Sequence, residues 1–185
     1  MPERGKNMKL DLSALLNRRE SARDFSFTVD PEKIEDAPIL PEEIKLENGV
    51  TITGTVTDCN GYFMLKAEAT ANYTTLCDRC LAPISDTVSF PFSRIIAVSS
   101  GDLEKIGVDE EDALFVHEGG VDFSCELVEE LCLELPVYHL CEDDCPGLCD
   151  VCGQRLDGSC RCSQKKEIDP RLESFQKLLE KMKKE

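Results

Sequence analysis

Tryptophan is absent from these 185 residues, and only three tyrosines and two histidines occur. So few flat side chains leave little for unpaired bases to stack on, which argues against a generic single-stranded nucleic-acid binder. The two histidines stand in no metalloprotease spacing, and there is no H-E-x-x-H, P-loop or G-x-S-x-G motif. The common hydrolase and NTPase chemistries are therefore without their parts. No apolar run approaches the ~18 residues of a membrane-spanning helix. Residues 1–9 lack an apolar h-region and a small-residue cleavage site, so the expected setting is reducing and cytoplasmic. Basic residues are also scarce, 21 against 37 acidic, for a net charge of −16. Such a chain repels nucleic acid at long range and suits a basic protein partner, or simply solubility. The imbalance is uneven: residues 155–185 hold nine basic and six acidic side chains, net +3, and residues 1–154 hold 12 and 31, net −19.

Cysteine, by contrast, is abundant. Eight of the 11 cysteines fall into groups with metal-ligand spacing. Cys77 and Cys80 form a C-x2-C pair, and Cys141, Cys145, Cys149, Cys152, Cys160 and Cys162 lie within 22 residues. In a reducing compartment this density points to metal rather than to disulfides. Cys149, Cys152, Cys160 and Cys162 follow the pattern C-x2-C-x7-C-x-C, with Gly153 able to turn the backbone sharply. Four thiolates close a tetrahedral site, and a closed site is structural because it leaves no position for water or substrate. Cys77 and Cys80 need two more ligands, and Cys141 and Cys145 remain. Joining these distant pairs would order a segment with little core of its own. His139 could replace one thiolate, and the cysteines from 141 to 152 could exchange roles. Zinc is the expected ion, in one or two copies; iron also suits thiolates.

Other readings stand beside this one. A lone C-x2-C can be a redox pair, but here it follows antiparallel strands rather than a β-α-β unit, and Pro83 disfavours a helix starting at Cys77. Cys59 reads as an incidental turn thiol, Cys125 and Cys132 as small packed hydrophobes, and His117 as a solvated side chain.

Hydrophobic periodicity organises the rest. Residues 8–16 read as a strand or short helix, with Leu12, Leu15 and Leu16 favouring helix. Phe25, Phe27 and Val29 alternate as in a half-buried strand, and Pro31, Pro38 and Pro41 punctuate an acidic connector. Val50, Ile52, Gly54 and Val56 alternate with threonines, Asn60-Gly61 makes a turn, and residues 62–75 return as a second strand that delivers Cys77 and Cys80 at its end. Pro83 breaks that loop, and residues 87–99 give a third strand. Residues 101–120 read as an exposed acidic loop with a short strand at Phe115 and Val116. Leu127, Val128, Leu131 and Leu135 share one face of a helix over 124–135, stopped by Pro136. An amphipathic helix is expected over 169–184, with Asp169 as N-cap, Pro170 next, and an apolar stripe of Leu172, Phe175, Leu178, Leu179 and Met182.

The fold class is thus α+β. An antiparallel sheet with one or two packed helices spans 1–140, a zinc-stabilised cysteine-rich segment 141–163, and a C-terminal amphipathic helix 164–185. Several blocks together resemble the YceD family of large-ribosomal-RNA-subunit accumulation proteins. They are Leu76-Cys77-Asp78-Arg79-Cys80-Leu81, Leu135-Pro136, and the run from Cys141 through Pro146-Gly147-Leu148 to Cys152-Gly153, followed by Cys160-Arg161-Cys162 and Ile168-Asp169-Pro170-Arg171-Leu172. The resemblance covers nearly the whole chain. It implies a role in 23S rRNA accumulation or processing and in large-subunit assembly, with a pre-50S particle, 23S rRNA or a basic ribosomal protein as partner. Some members lose much of the later cysteine cluster, and members often carry Asn near the position of Leu156-Asp157, where this chain has Asp157. Candidate phosphate contacts are Arg155, Arg161, Lys165, Lys166 and Arg171, with a merely solvated basic tail as the other reading of the same residues. A non-enzymatic assembly factor is the leading expectation, with neither a membrane nor a small-molecule substrate. The alternatives are a zinc-dependent adaptor away from the ribosome and a thiol oxidoreductase using Cys77 and Cys80.

Overall fold

Alternation of period two builds most of this molecule. The computed structural model describes residues 9–34, 36–158, 160 and 162. The chain divides into two compact units, Met1–Asp143 and Asp144–Glu185. Among the described residues, every regular strand and α-helix belongs to the first. In chain order these are β1 (Lys9–Asp11), α1 (Ser13–Leu16), β2 (Ala22–Val29), β3 (Lys45–Asp58), β4 (Phe63–Leu76), β5 (Pro83–Ala97), α2 (Ser100–Ile106), β6 (Ala113–Phe115), β7 (Gly120–Asp122) and α3 (Ser124–Glu134). The strands form a five-stranded sheet in the order β2-β3-β4-β5-β6 and a two-stranded sheet of β1 and β7. The first four strands pair antiparallel as a meander; β6 pairs parallel to β5, so the sheet is mixed. The fold is α+β, with few helices.

The register explains the packing. Phe25, Gly54, Ala67 and Phe92 stand side by side across β2, β3, β4 and β5. Two large rings flank two small residues, which leaves a trough. Phe123, at the N-terminus of α3, fills it: its ring centroid lies 5.8 Å from Phe25 and 5.7 Å from Phe92, and the side chain is fully buried. Gly54 is required by close approach rather than by φ. A Cβ there would sit 2.3 Å from the Lys66 carbonyl oxygen and 2.4 Å from the Ala67 Cβ. The expected apolar stripe of α3 is the buried one, with Leu127, Val128 and Leu131 inside and Leu135 just past the helix end. Arg94 of β5 ties the helix down, with Nη2 2.6 Å from Glu130 Oε2 and its guanidinium 4.7 Å above the Phe92 ring.

The opposite face of the sheet is coated with hydroxyls. Ser26–Thr53, Thr28–Thr51 and Thr70–Ser89 are linked across strands at 3.0, 3.3 and 3.0 Å. This is the threonine half of the alternation, exposed as the pattern requires. The β3–β4 turn also follows its chemistry. Asn60 takes φ 59, its N–H donates to the Asp58 carboxylate at 2.8 Å, and Cys59 N–H donates to the Tyr62 carbonyl at 2.9 Å.

One expectation is corrected. Residues 101–120 are not simply an exposed loop, because α2 and β6 lie within 100–115 and Leu103 and Leu114 are buried. Ser99 and Asp102 bond reciprocally at the start of α2, and Gly107 ends it in the left-handed conformation with φ 69. The helix expected over 169–184 lies outside the described residues.

Candidate metal centres

Two C-x2-C turns in this chain fold alike. After β4, Cys77 N–H donates to the Ala82 carbonyl and Leu81 N–H to the Cys77 carbonyl, both at 2.8 Å. In the second turn Cys149 N–H donates to the Gln154 carbonyl at 2.7 Å and Gly153 N–H to the Cys149 carbonyl at 2.8 Å. The fifth residue of each turn is left-handed, Leu81 at φ 56 and Gly153 at φ 69. Winding the backbone this tightly aims the intervening N–H groups back at the first sulfur. Burial works to raise the Cys77 thiol, but the N–H groups of Cys141, Arg79 and Cys80 outweigh it and bring it down to about 6. The N–H groups of Cys152 and Val151, helped by the Cys160 thiol, bring Cys149 down to about 7. Such donors stabilise thiolate, the form that binds a metal.

The first thiol group is assembled by a backbone clasp. Asp78 N–H donates to the His139 carbonyl at 2.9 Å, and His139 N–H donates to the Asp78 carboxylate at 2.7 Å. The clasp sets the segment after α3 against the turn and places Cys141 Sγ 3.6 Å from Cys80 Sγ. Cys145 follows four residues later on the same loop. The sulfurs of Cys77, Cys80, Cys141 and Cys145 all lie within 4.8 Å of one another, and three of these residues are buried. His139 is not in the group. Its ring meets Tyr73 edge-on at 5.5 Å, with Nδ1 3.5 Å from the Tyr73 hydroxyl.

The second group lies in the second unit. Leu148 and Arg155 form a β-bridge around its turn, and Leu156 N–H donates to the Gly147 carbonyl at 3.0 Å. The sulfurs of Cys149, Cys152, Cys160 and Cys162 again lie within 4.8 Å of one another, with Cys152 and Cys160 3.5 Å apart. This group is more open: Cys149 is buried, Cys160 and Cys162 are half-buried and Cys152 is exposed. The neighbouring sulfurs of Cys152 and Cys160 push the Cys162 thiol up to about 12. Four thiols this close do not all ionise without a cation among them.

The geometry fits a tetrahedral ion. Sulfurs ~2.3 Å from a central zinc are ~3.8 Å apart along each edge. The Sγ–Sγ distances of 3.6 Å for Cys80–Cys141 and 3.5 Å for Cys152–Cys160 are near that edge and far beyond the ~2.0 Å of a disulfide. Each group offers four ligand atoms and could hold a metal ion.

The remaining thiols and histidine stand apart from both groups. Cys59 sits half-buried in the β3–β4 turn, Cys125 and Cys132 are half-buried on α3, and His117 is exposed. Burial raises the Cys125 and Cys132 thiols, and nearby carboxylates add to it, Glu126 and Asp122 at Cys125 and Glu129 at Cys132. Arg155 is half-buried within its bridge. Arg161, Lys165, Lys166 and Arg171 lie outside the described residues. Sequence reasoning missed the Asp78–His139 clasp. Its partners are 61 residues apart, and no spacing rule joins an aspartate side chain to a distant backbone N–H.

Residues 65–179, which include both thiol groups, match the family described as "Large ribosomal RNA subunit accumulation protein YceD". Uncharacterized proteins of Mycobacterium bovis and Mycobacterium tuberculosis are each 29% identical over 141 residues, covering 75% of this chain and 61% of theirs. An uncharacterized protein of Mycobacterium leprae is 28% identical over 93 residues, 50% of this chain and 42% of its own. The chain thus spans about three fifths of the length of the first two relatives. No solved structure matches it. From β4 through both cysteine groups, this chain belongs to the YceD family of large ribosomal RNA subunit accumulation proteins.

Proposed function

We propose that this chain is a non-enzymatic factor for 23S rRNA accumulation and large-subunit assembly, shaped by two structural zinc ions. The observation that carries this reading is the family match over residues 65–179, which takes in both four-thiol groups. Cys77, Cys80, Cys141 and Cys145 hold one ion and Cys149, Cys152, Cys160 and Cys162 the other. With four protein ligands each, neither ion has a position left for substrate, so its contribution is folding energy. The work is then binding. The acidic residues 1–154 suit a basic ribosomal protein on a pre-50S particle, and Arg155, Arg161, Lys165, Lys166 and Arg171 suit phosphates of 23S rRNA. The setting is the cytoplasm. Among the described residues no helix is long and apolar enough to cross a membrane.

The test is a depletion strain analysed by sucrose-gradient sedimentation. The reading expects a deficit of 23S rRNA and of 50S subunits, with the protein co-sedimenting with pre-50S particles. A normal 50S peak and protein confined to the top of the gradient would overturn it in favour of an adaptor away from the ribosome.

A further inference from the structure

The turn that carries Cys77 and Cys80 is surrounded by apolar side chains that nothing in the first unit covers. Val137 is 86% exposed, Tyr138 76%, Leu81 60% and Leu76 47%. All four lie within three residues of the Asp78–His139 clasp, whose two hydrogen bonds hold their backbones together. Exposed apolar side chains scattered singly are ordinary; gathered on a braced turn with a tyrosine among them, they mark a contact surface. The charge around them is predominantly negative, although the exposed Lys45 stands opposite Thr74 on the neighbouring strand. Between Glu130 and Asp143 there is no lysine or arginine, and Asp78, Asp86, Glu134, Glu142 and Asp143 are all exposed. Arg79 is the lone cation of the turn. The surface is thus apolar at its centre and acidic at its rim.

We infer that Leu76, Leu81, Val137 and Tyr138 form the docking surface for a basic protein segment: a lysine- or arginine-rich stretch that carries at least one large apolar side chain. The acidic rim steers and orients the cationic residues, and the apolar side chain reaches Val137 and Tyr138, where burial supplies the affinity. A nucleic acid does not fit, because its phosphates would meet five carboxylates. The inference rests on the assembly reading above and adds to it the surface and the partner's chemistry. The first thiol group gains a purpose, since Cys80 and Cys141 lock together the two strips of chain that present the surface.

The test uses the full, metal-loaded chain and two fluorescein-labelled peptides of equal length and charge. One is lysine-rich with two leucines; in the other both leucines are serine. Anisotropy is expected to show the leucine peptide binding at least ~10-fold more tightly, the size of effect a buried anchor commonly has. Added salt weakens both peptides. The variant V137S/Y138S, exposed at both positions and so compatible with folding, is expected to erase the difference while keeping its metal. Ile39→Ser, at a 94% exposed position in the connector before β3, is the control and should retain it. Equal binding of the two peptides, or a preference untouched by V137S/Y138S, would overturn the inference. So would displacement of the leucine peptide by a single-stranded RNA oligonucleotide, or self-association through these residues seen in analytical ultracentrifugation. Failure of the assembly reading is separable: a normal 50S profile on depletion would contradict that reading and leave the peptide result standing.

Discussion

Single residues set the quality of each C-x2-C turn. Leu81 and Gly153 occupy the same left-handed position in two turns with matching hydrogen bonds. A side chain there strains the backbone by roughly 1–2 kcal/mol. Gly153→Ala should therefore weaken metal retention at the second group by about 5- to 30-fold, as read by competition with a chromophoric chelator. Leu81→Gly relieves that strain and should not weaken the first group. Equal losses in both variants would refute the equivalence of the turns. Gly54 is a second single-residue constraint. With a Cβ driven to 2.3 Å from a carbonyl oxygen, Gly54→Val should cost about 1–3 kcal/mol in urea unfolding, whereas a change below ~0.5 would show that the strands yield. Thiol reactivity also sorts by residue. Cys125 and Cys132 are raised by burial and neighbouring carboxylates, so at pH 7 both should react slowly with iodoacetamide whether or not metal is bound.

At the scale of elements, what the sequence showed depended on how many residues each element buries. β3 and β4 were legible because apolar and threonine residues alternate over many positions, and α3 because four apolar residues share one face. α2 was not legible: among its described side chains only Leu103 is buried, too little for a stripe, and its signs were the Ser99/Asp102 pair and Gly107. β6 escaped full reading because a three-residue strand carries almost no period and gains its place by pairing with β5. Cysteine spacing bracketed the metal-ligand candidates, but the clasp that brings up Cys141 depends on tertiary geometry alone. The α3–β5 contact offers a direct measurement. Arg94 and Glu130 are both mostly buried and Arg94 also lies over Phe92, so a double-mutant cycle with Arg94→Ala and Glu130→Ala should return a coupling of about 1 kcal/mol. A coupling near zero would reduce the pair to a surface contact.

At the scale of the whole molecule, the two thiol groups differ in access. The first has three buried cysteines; the second exposes Cys152 and half-exposes Cys160 and Cys162. A mild chelator should therefore take metal from the second group first, giving two-phase release in which Cys152 is among the first thiols to react. Release in a single phase would contradict the difference. The central claim is that both groups are closed four-thiolate metal sites. It is tested most directly by elemental analysis of protein purified without added metal, alongside a count of reactive thiols before and after chelation. The account predicts two zinc ions per chain and eight thiols that react only once the metal is removed. Metal-free protein whose Cys77 and Cys80 oxidise reversibly to a disulfide would contradict it, and would put a thiol oxidoreductase in its place.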